Sequence, residues 1–548
     1  MDSFIIVALA LCSLTAPAYG DKGTSKARSC SDIRQFYGGK GFPLDDVPQS
    51  EISGEHLRIC PQGYTCCTSD MEEKLASQSR MEVEGVLKDS GRSLQAVLLE
   101  QQKAFDGYFN ELLNRSSVSL QETFTSTYGI LYYQSSQVFS DLYADLRHYY
   151  RSSNVNLEEV LNDFWAKLLE KLFSQANKQY SIGEDYLECV SKQMETLRPF
   201  GDTPRKMTVQ VTRTFVAARS FIQGLVISGE VVRKVSQVPL SQECIRAMMR
   251  MTYCPHCRGM PSAKPCANYC SNVMKGCLAN QADLNSEWRN LAESMLNVAT
   301  QRLDTMDSLI LSIPNRISEA MFTMTDNIQM INSKLFQACG NLREGGTSST
   351  GVEESMKRGR VTVEDRLGDS SNKMAKLVSD VVIKLRDMQP YWVSLPNILC
   401  NIRVATGAGA EDKCWNGISR ARYLPEVMGD GLASQINNPE LEIDITKPDM
   451  IIRQQIMQLR MIIHRLTKAF NGQDLDFQDA SDDVSGSGSG RCADGMCSPG
   501  PRLIVPDTDR PIIYAYPAEN KKVKASAQQN LPSIGIYLVS LLILLLRR

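Results

Sequence analysis

The chain has 548 residues, 43% of them hydrophobic and 22% charged, enough apolar material for a large core, which excludes a chain unfolded for want of one. A formal net charge of −2 removes the electrostatic case for a nucleic-acid-binding or basic membrane-surface protein. Four histidines (His56, His148, His256, His464), no two of them close in sequence, are a poor supply for metal or acid–base chemistry.

Phe4 to Leu14 is an apolar run followed by Ala18-Tyr19-Gly20, which reads as a signal peptide over 1–20, although a positive n-region is missing. A buried N-terminal helix is the alternative. Seventeen cysteines are many for this length; setting aside Cys12 in the leader leaves sixteen, an even number suited to an oxidising compartment.

From Met71 to about Ala338 the pattern is mainly helical. Between Asn156 and Phe173, Leu157, Val160, Leu161, Phe164, Trp165, Leu168, Leu169 and Leu172 recur at three- and four-residue steps, with Asn156 as N-cap and Glu159 placed to complete a capping box. Similar stripes run over Met207 to Val235 and Leu284 to Phe336, and Pro314 is expected to break or begin a helix within the latter. Asn114-Arg115-Ser116 is the one N-glycosylation sequon, so the Asn114 side chain is expected on the surface.

Cys254-Pro255-His256-Cys257 has the residues of a disulfide-oxidase motif, but it does not open a helix after a strand, and Cys266, Cys270 and Cys277 follow at once. A zinc reading of Cys254, Cys257, Cys266 and Cys270 fits ligand spacing loosely and conflicts with an oxidising compartment. Structural disulfides are favoured, and the adjacent pair Cys66-Cys67 supports them by clamping to two separate partners. No P-loop, nucleophile elbow or HExxH helix occurs, so no enzymatic activity, no metal and no cofactor are expected.

Residues 341–372 are rich in Gly, Ser, Thr and charge and read as an exposed loop. Within it, Lys357-Arg358-Gly359-Arg360 reads equally as a convertase site or a solvated basic patch. Leu441 to Ile445 is a rare strand signal. Pro448 to Phe470 is a last amphipathic helix, with Ile452, Ile456, Leu459, Ile463, Leu466 and Phe470 on one face and Asn471-Gly472 as its stop. The fold class is all-α: a multi-helix, disulfide-braced core over 21–473, then a disordered stalk over 474–526.

In that stalk Ser485, Ser487 and Ser489 are each followed by glycine, with Asp479, Asp482 and Asp483 just upstream and Asp474 and Asp476 beyond. Such a segment cannot bury enough apolar surface to offset chain entropy, so its hydroxyls stay accessible. A lone Ser-Gly pair reads as a flexible linker; three in register behind acid, between secretory signals, read as glycosaminoglycan acceptors. Ile534 to Leu546 is almost wholly apolar, about sixteen residues counted back to Leu531, and short of the roughly 20 a spanning helix needs. With small residues Ala525-Ser526-Ala527 and a short spacer upstream, 527–548 reads as a GPI-attachment signal. Ser526 is the expected attachment residue and Ala525 the reserve; a short single-pass anchor is the alternative.

The run from Cys254-Pro-His-Cys257 through Gly259, Pro265-Cys266, Tyr269-Cys270 and Gly276-Cys277 resembles the glypican family signature. Cys30, Cys60-Pro61-Gln62-Gly63-Tyr64 and Cys66-Cys67 are similar to the family's N-terminal block. Cys414-Trp415-Asn416-Gly417 and Arg422-Tyr423-Leu424-Pro425 are similar to its C-terminal one. The resemblance implies an elongated helical core in which Cys30 pairs with Cys66, Cys60 with Cys254, Cys67 with Cys257, Cys189 with Cys339, Cys244 with Cys277, Cys266 with Cys414 and Cys270 with Cys400. It leaves Cys492 and Cys497 unassigned. It also implies a heparan sulfate proteoglycan on the outer face of the cell membrane, held by GPI lipid and also shed. Its partners would be growth factors and morphogens (fibroblast growth factors, Wnt and hedgehog proteins), their receptors and matrix proteins, with no nucleic acid. Two other classes stay open: a sugar-independent adhesion or receptor module, and a thiol–disulfide oxidoreductase using Cys254 and Cys257.

Overall fold

The computed structural model describes residues 29–152, 155–343, 364–401, 404–405 and 411–475. After α1 (Ser31–Gly39), a two-residue hairpin pairs β1 (Ile52–Ser53) with β2 (Tyr64–Thr65), antiparallel. Then comes α2 (Ser69–Tyr128), whose 60 residues give it a length of about 90 Å. The Thr68 hydroxyl caps it by accepting from Met71 N (3.3 Å), and Asp70 and Glu72 complement the helix dipole in the first turn.

Leu98, Phe105, Phe109, Leu112, Leu120 and Phe124 form the buried stripe of α2. α3 (Ile130–Arg151) turns back beside it, and α4 (Leu157–Ala176) lies on α3. Asn156 caps α4 as expected, accepting from Glu158 N (3.0 Å) and Glu159 N (3.4 Å). The apolar stripe of α4 is buried, with Val160 and Leu172 half-buried at its margins.

Two short helices, α5 (Glu184–Lys192) and α6 (Met194–Leu197), lead to α7 (Thr203–Val235). By length and composition α7 could cross a membrane, yet it is the central core helix: seven successive residues from Phe215 to Phe221 are buried. Below it come α8 (Gln242–Thr252), the single turn α9 (Cys254–Cys257), α10 (Ala267–Cys277) and α11 (Ala279–Ala282). α12 (Asn285–Val298) runs through a π-helical turn at Ala299–Leu303 into α13 (Met306–Asp326), followed by α14 (Ile328–Cys339). α15 (Glu364–Met388), α16 (Tyr391–Leu399) and α17 (Met450–Phe470) complete the set, and α7 packs against α2, α13 and α17.

Four expectations need correction. Pro314 neither breaks nor begins a helix but sits buried inside α13. A proline has no N–H for the carbonyl four residues back, that of Ile310; Ser116 of α2 donates to that carbonyl instead (2.7 Å). The region expected as loop to residue 372 is already helical from Glu364. Leu441 to Ile445 forms no strand, because Leu441 turns inward against α10 and an Asx turn at Asp444 (Thr446 N to Oδ1, 3.0 Å) ends the extended run. The buried stripe of α17 is Ile452, Leu459, Ile462, Leu466 and Ala469, leaving Ile456, Ile463 and Phe470 half-buried at its edge.

Candidate functional site

The cysteine-rich segment folds into a knot at one end of α2. Glu72, in the first turn of α2, is buried and accepts three successive backbone N–H groups, from Arg58 (2.9 Å), Ile59 (2.9 Å) and Cys60 (2.7 Å). That carboxylate folds the 54–63 loop over the helix start and delivers Cys60 to Cys254. Cys67 meets Cys257 on the next turn, and Cys66 N donates to Cys257 O (2.9 Å).

Cys254 and Cys257 are therefore not partners of each other, and both are fully buried. A redox motif needs its two sulfurs to exchange one disulfide with an incoming thiol, and this arrangement lacks that geometry. The zinc reading fails on the same ground, since Cys266 and Cys270 are bonded to Cys414 and Cys400. Among the described residues the remaining bonds are Cys30–Cys66, Cys189–Cys339 and Cys244–Cys277, so all seven bonds are the pairs implied by the resemblance. His256 of the same turn stacks on Phe36 (centroids 4.0 Å apart); burial first, and the Lys40 ammonium second, push its pKa down to about 4.

The C-terminal cysteine block docks on this knot. Trp415, buried, donates from Nε1 to Arg250 O (2.9 Å), and its backbone forms a short ladder with Lys264 and Cys266. Asn416 closes an Asx turn on Ile418 N and Ser419 N. Gly417, at φ +98°, lies where a Cβ would stand 3.0 Å from Tyr269 Oη. The Cys414-Trp415-Asn416-Gly417 run is thus a plug in which every residue has a physical task.

At the opposite end of the sequence the described chain stops at Leu475, just beyond a polar clamp. Asp474 pairs with Arg219 of α7, and its other carboxylate oxygen accepts from Tyr149 Oη (2.7 Å). The acidic run seen ahead of the Ser-Gly cluster therefore loses its first member to the core. Nothing local in the sequence signals this, because the partners lie 255 and 325 residues away. Near Arg219, Arg465 has its pKa lowered, by burial first and by the Arg219 charge second.

Ser485, Ser487, Ser489, Ser526, Ala525, Cys492, Cys497, residues 1–20 and Lys357 to Arg360 lie outside the described residues. Asn114 is exposed, about three-quarters of the way along α2, as the sequon requires. The sequon's Ser116, by contrast, is wholly buried between Tyr143 Oη (2.7 Å) and Ile310 O (2.7 Å). With its one proton given to Ile310, Ser116 accepts from Tyr143.

Two surface clefts complete the inventory. One, of about 430 Å³, lies at the start of α7 (Arg198, Phe200, Asp202, Arg205); the other, of about 550 Å³, lies beside α12 (Asp283, Arg289, Glu293, Asp430). Neither lining contains a histidine or cysteine, and among the described residues no group of acidic, His or Cys side chains is placed to hold a metal ion.

The glypican family profile matches residues 10–547. The chain belongs to the glypican family. Chicken (Gallus gallus) glypican-1 is 52% identical over 97% of this chain and 96% of its own, and human glypican-1 is 52% identical over 98% and 96%. A crystal structure of C-terminally truncated glypican-1 superposes with a TM-score of 0.74 at 52% identity, over 82% of this chain and all of that one. Dally-like protein, solved in complex with O-palmitoleoyl serine, gives a TM-score of 0.64 at 33% identity over 82% of this chain and all of that one. Glypicans are the core proteins of heparan sulfate proteoglycans of the cell surface, and this glypican has their all-helical, disulfide-braced core.

Proposed function

We propose that this glypican carries heparan sulfate on Ser485, Ser487 and Ser489, is held at the outer membrane face by a GPI group on Ser526, and acts as a co-receptor for basic growth factors and morphogens. The observation that supports it is the packing of the last described residues. Packed, hydrogen-bonded structure runs to Asp474, and the three Ser-Gly pairs follow within fifteen residues of it. The polypeptide itself is near neutral, so sulfated chains would supply the dense negative charge that collects basic ligands through salt-screened attraction. Tethering the core confines captured ligand beside its receptors and raises its effective concentration. The two acyl chains of a GPI group give stable anchoring where one would be marginal. Fibroblast growth factors, Wnt and hedgehog proteins and matrix proteins are the proposed clients, and part of the protein is shed.

Heparinase treatment of cell-expressed protein is the deciding test: a high-mass smear should collapse to a sharp band. Replacing the three serines together by Ala should give the same band without enzyme. A smear that persists in the triple variant places the chains elsewhere. No smear at all in the unaltered protein favours the sugar-independent adhesion module.

A further inference from the structure

α17 ends in a built reversal. Gly472 adopts φ +79°, where a Cβ would stand 2.5 Å from Arg213 Cγ, so any side chain there would be strained and would displace Arg213. Gly472 N donates to Ala469 O (2.9 Å) and Gln473 N to Lys468 O (3.0 Å), which returns Asp474 to the surface of α7. There the Arg219 side chain, 3% exposed, lies 4.2 Å from the centre of the Tyr149 ring and donates to Tyr149 O (3.4 Å) as well as to Asp474. The Asp474 carboxylate is thus gripped by α7 through the guanidinium and by α3 through the Tyr149 hydroxyl.

The pair is half-exposed, with the Arg219 side chain 3% and the Asp474 side chain 33% exposed, so water screens it less than the exposed Arg92–Asp89 pair. Pulling Asp474 away leaves the buried guanidinium with its Tyr149 contacts but without this carboxylate, which disfavours opening.

We propose that Asp474, held by Arg219 and Tyr149 as positioning residues, is a latch that fixes where the acceptor segment leaves the core and thereby limits how far Ser485 reaches toward the modifying enzyme. The proposal rests on the attachment reading given above. Ser485 lies eleven residues beyond Asp474 along the chain, a contour of at most about 40 Å, and it is the first of the three acceptors in sequence. Opening the latch frees residues 471–474 and adds about 14 Å to that reach.

The test uses full-length secreted protein and reads the fraction of each serine that carries a glycan stub, by mass spectrometry after lyase digestion. Deleting residues 475–478 shortens the reach while keeping Asp479, Asp482 and Asp483. In the latched protein the deletion should lower occupancy of Ser485 severalfold and leave Ser489 nearly unchanged. In an Arg219→Met/Asp474→Ala background, where the ion pair is replaced by apolar groups, the same deletion should cost Ser485 little. Equal losses in both backgrounds, or no loss in the latched one, would overturn the latch while leaving the attachment reading intact. Bare serines in the undeleted protein would overturn both. If the double variant is not secreted, the same comparison is made with Asp474→Asn, which keeps the side-chain shape and removes the charge.

Discussion

The two ends of this core are held by different physics. At one end, six of the seven disulfides among the described residues join the 30–67 segment, α8 to α10, and Cys400 and Cys414. Much of the backbone they join is irregular, so it cannot form the wide apolar stripe that buries a helix. At the other end one cystine, Cys189–Cys339, joins α5 to α14 beside α4, while α3, α4 and the adjoining parts of α2 and α7 are held by a lattice of rings. Phe109 stacks on Tyr150 (4.0 Å), Phe124 meets Phe139 edge-on (5.1 Å), and Trp165 tilts against Phe200 (5.2 Å). Where a sequence supplies periodic aromatic and aliphatic residues, packing suffices; where it supplies loops, covalent bonds restrict the unfolded chain instead.

The largest expected effect separates the two ends directly. Mild reduction should raise amide hydrogen exchange across 30–67 and 411–449 while leaving α3 and α4 protected; uniform loss of protection would show one cooperative unit and erase the contrast. Phe124→Ala, which leaves a cavity in the ring lattice, should cost about 3–5 kcal/mol of stability by denaturant titration and leave the reductant sensitivity of the other end unchanged. Cys254→Ser should cost about 2–5 kcal/mol and impair secretion, because Cys60 is left as a buried free thiol; normal export would remove the structural role of this bond.

A smaller effect depends on pH. His256 has its folded pKa lowered from the usual 6.5 to about 4. Between those values the unfolded chain takes a proton that the folded chain refuses, so the contribution to stability falls as pH drops from about 6.5 to about 4, by at most about 3 kcal/mol. His256→Phe should flatten that part of the stability–pH curve, and an unchanged slope would remove His256 as its source. The smallest effect concerns backbone continuity. A protease site engineered between residues 344 and 363 should give two fragments on a reducing gel and one band without reductant. Cys266–Cys414 and Cys270–Cys400 bridge any cut there.

Much of the core was legible because helical periodicity is local. The α4 stripe and its Asn156 cap, and the span of α17, follow from residues within a few turns of each other. The cysteine pairing followed from likeness to a family and from nothing in the spacing. Pro314 misled because the substitute donor for Ile310 comes from Ser116, 194 residues earlier. Leu441 to Ile445 alternates apolar and acidic residues as a strand would, but among the described residues no strand lies beside it to pair with. Asp474 looked like a member of a solvated acidic run, since the buried arginine that claims it sits in the middle of α7.

The sequence by itself determined that this chain is helical, cystine-rich and ends in an acidic Ser-Gly run, since composition, short-range periodicity and adjacency are properties of neighbours along the chain. Tertiary structure alone decided that a proline could lie inside a helix, that a sequon's serine belongs to the core, and that the fold closes on Asp474. Each of those depends on a polar group whose burial is tolerable only with a partner hundreds of residues away, and only folding chooses that partner.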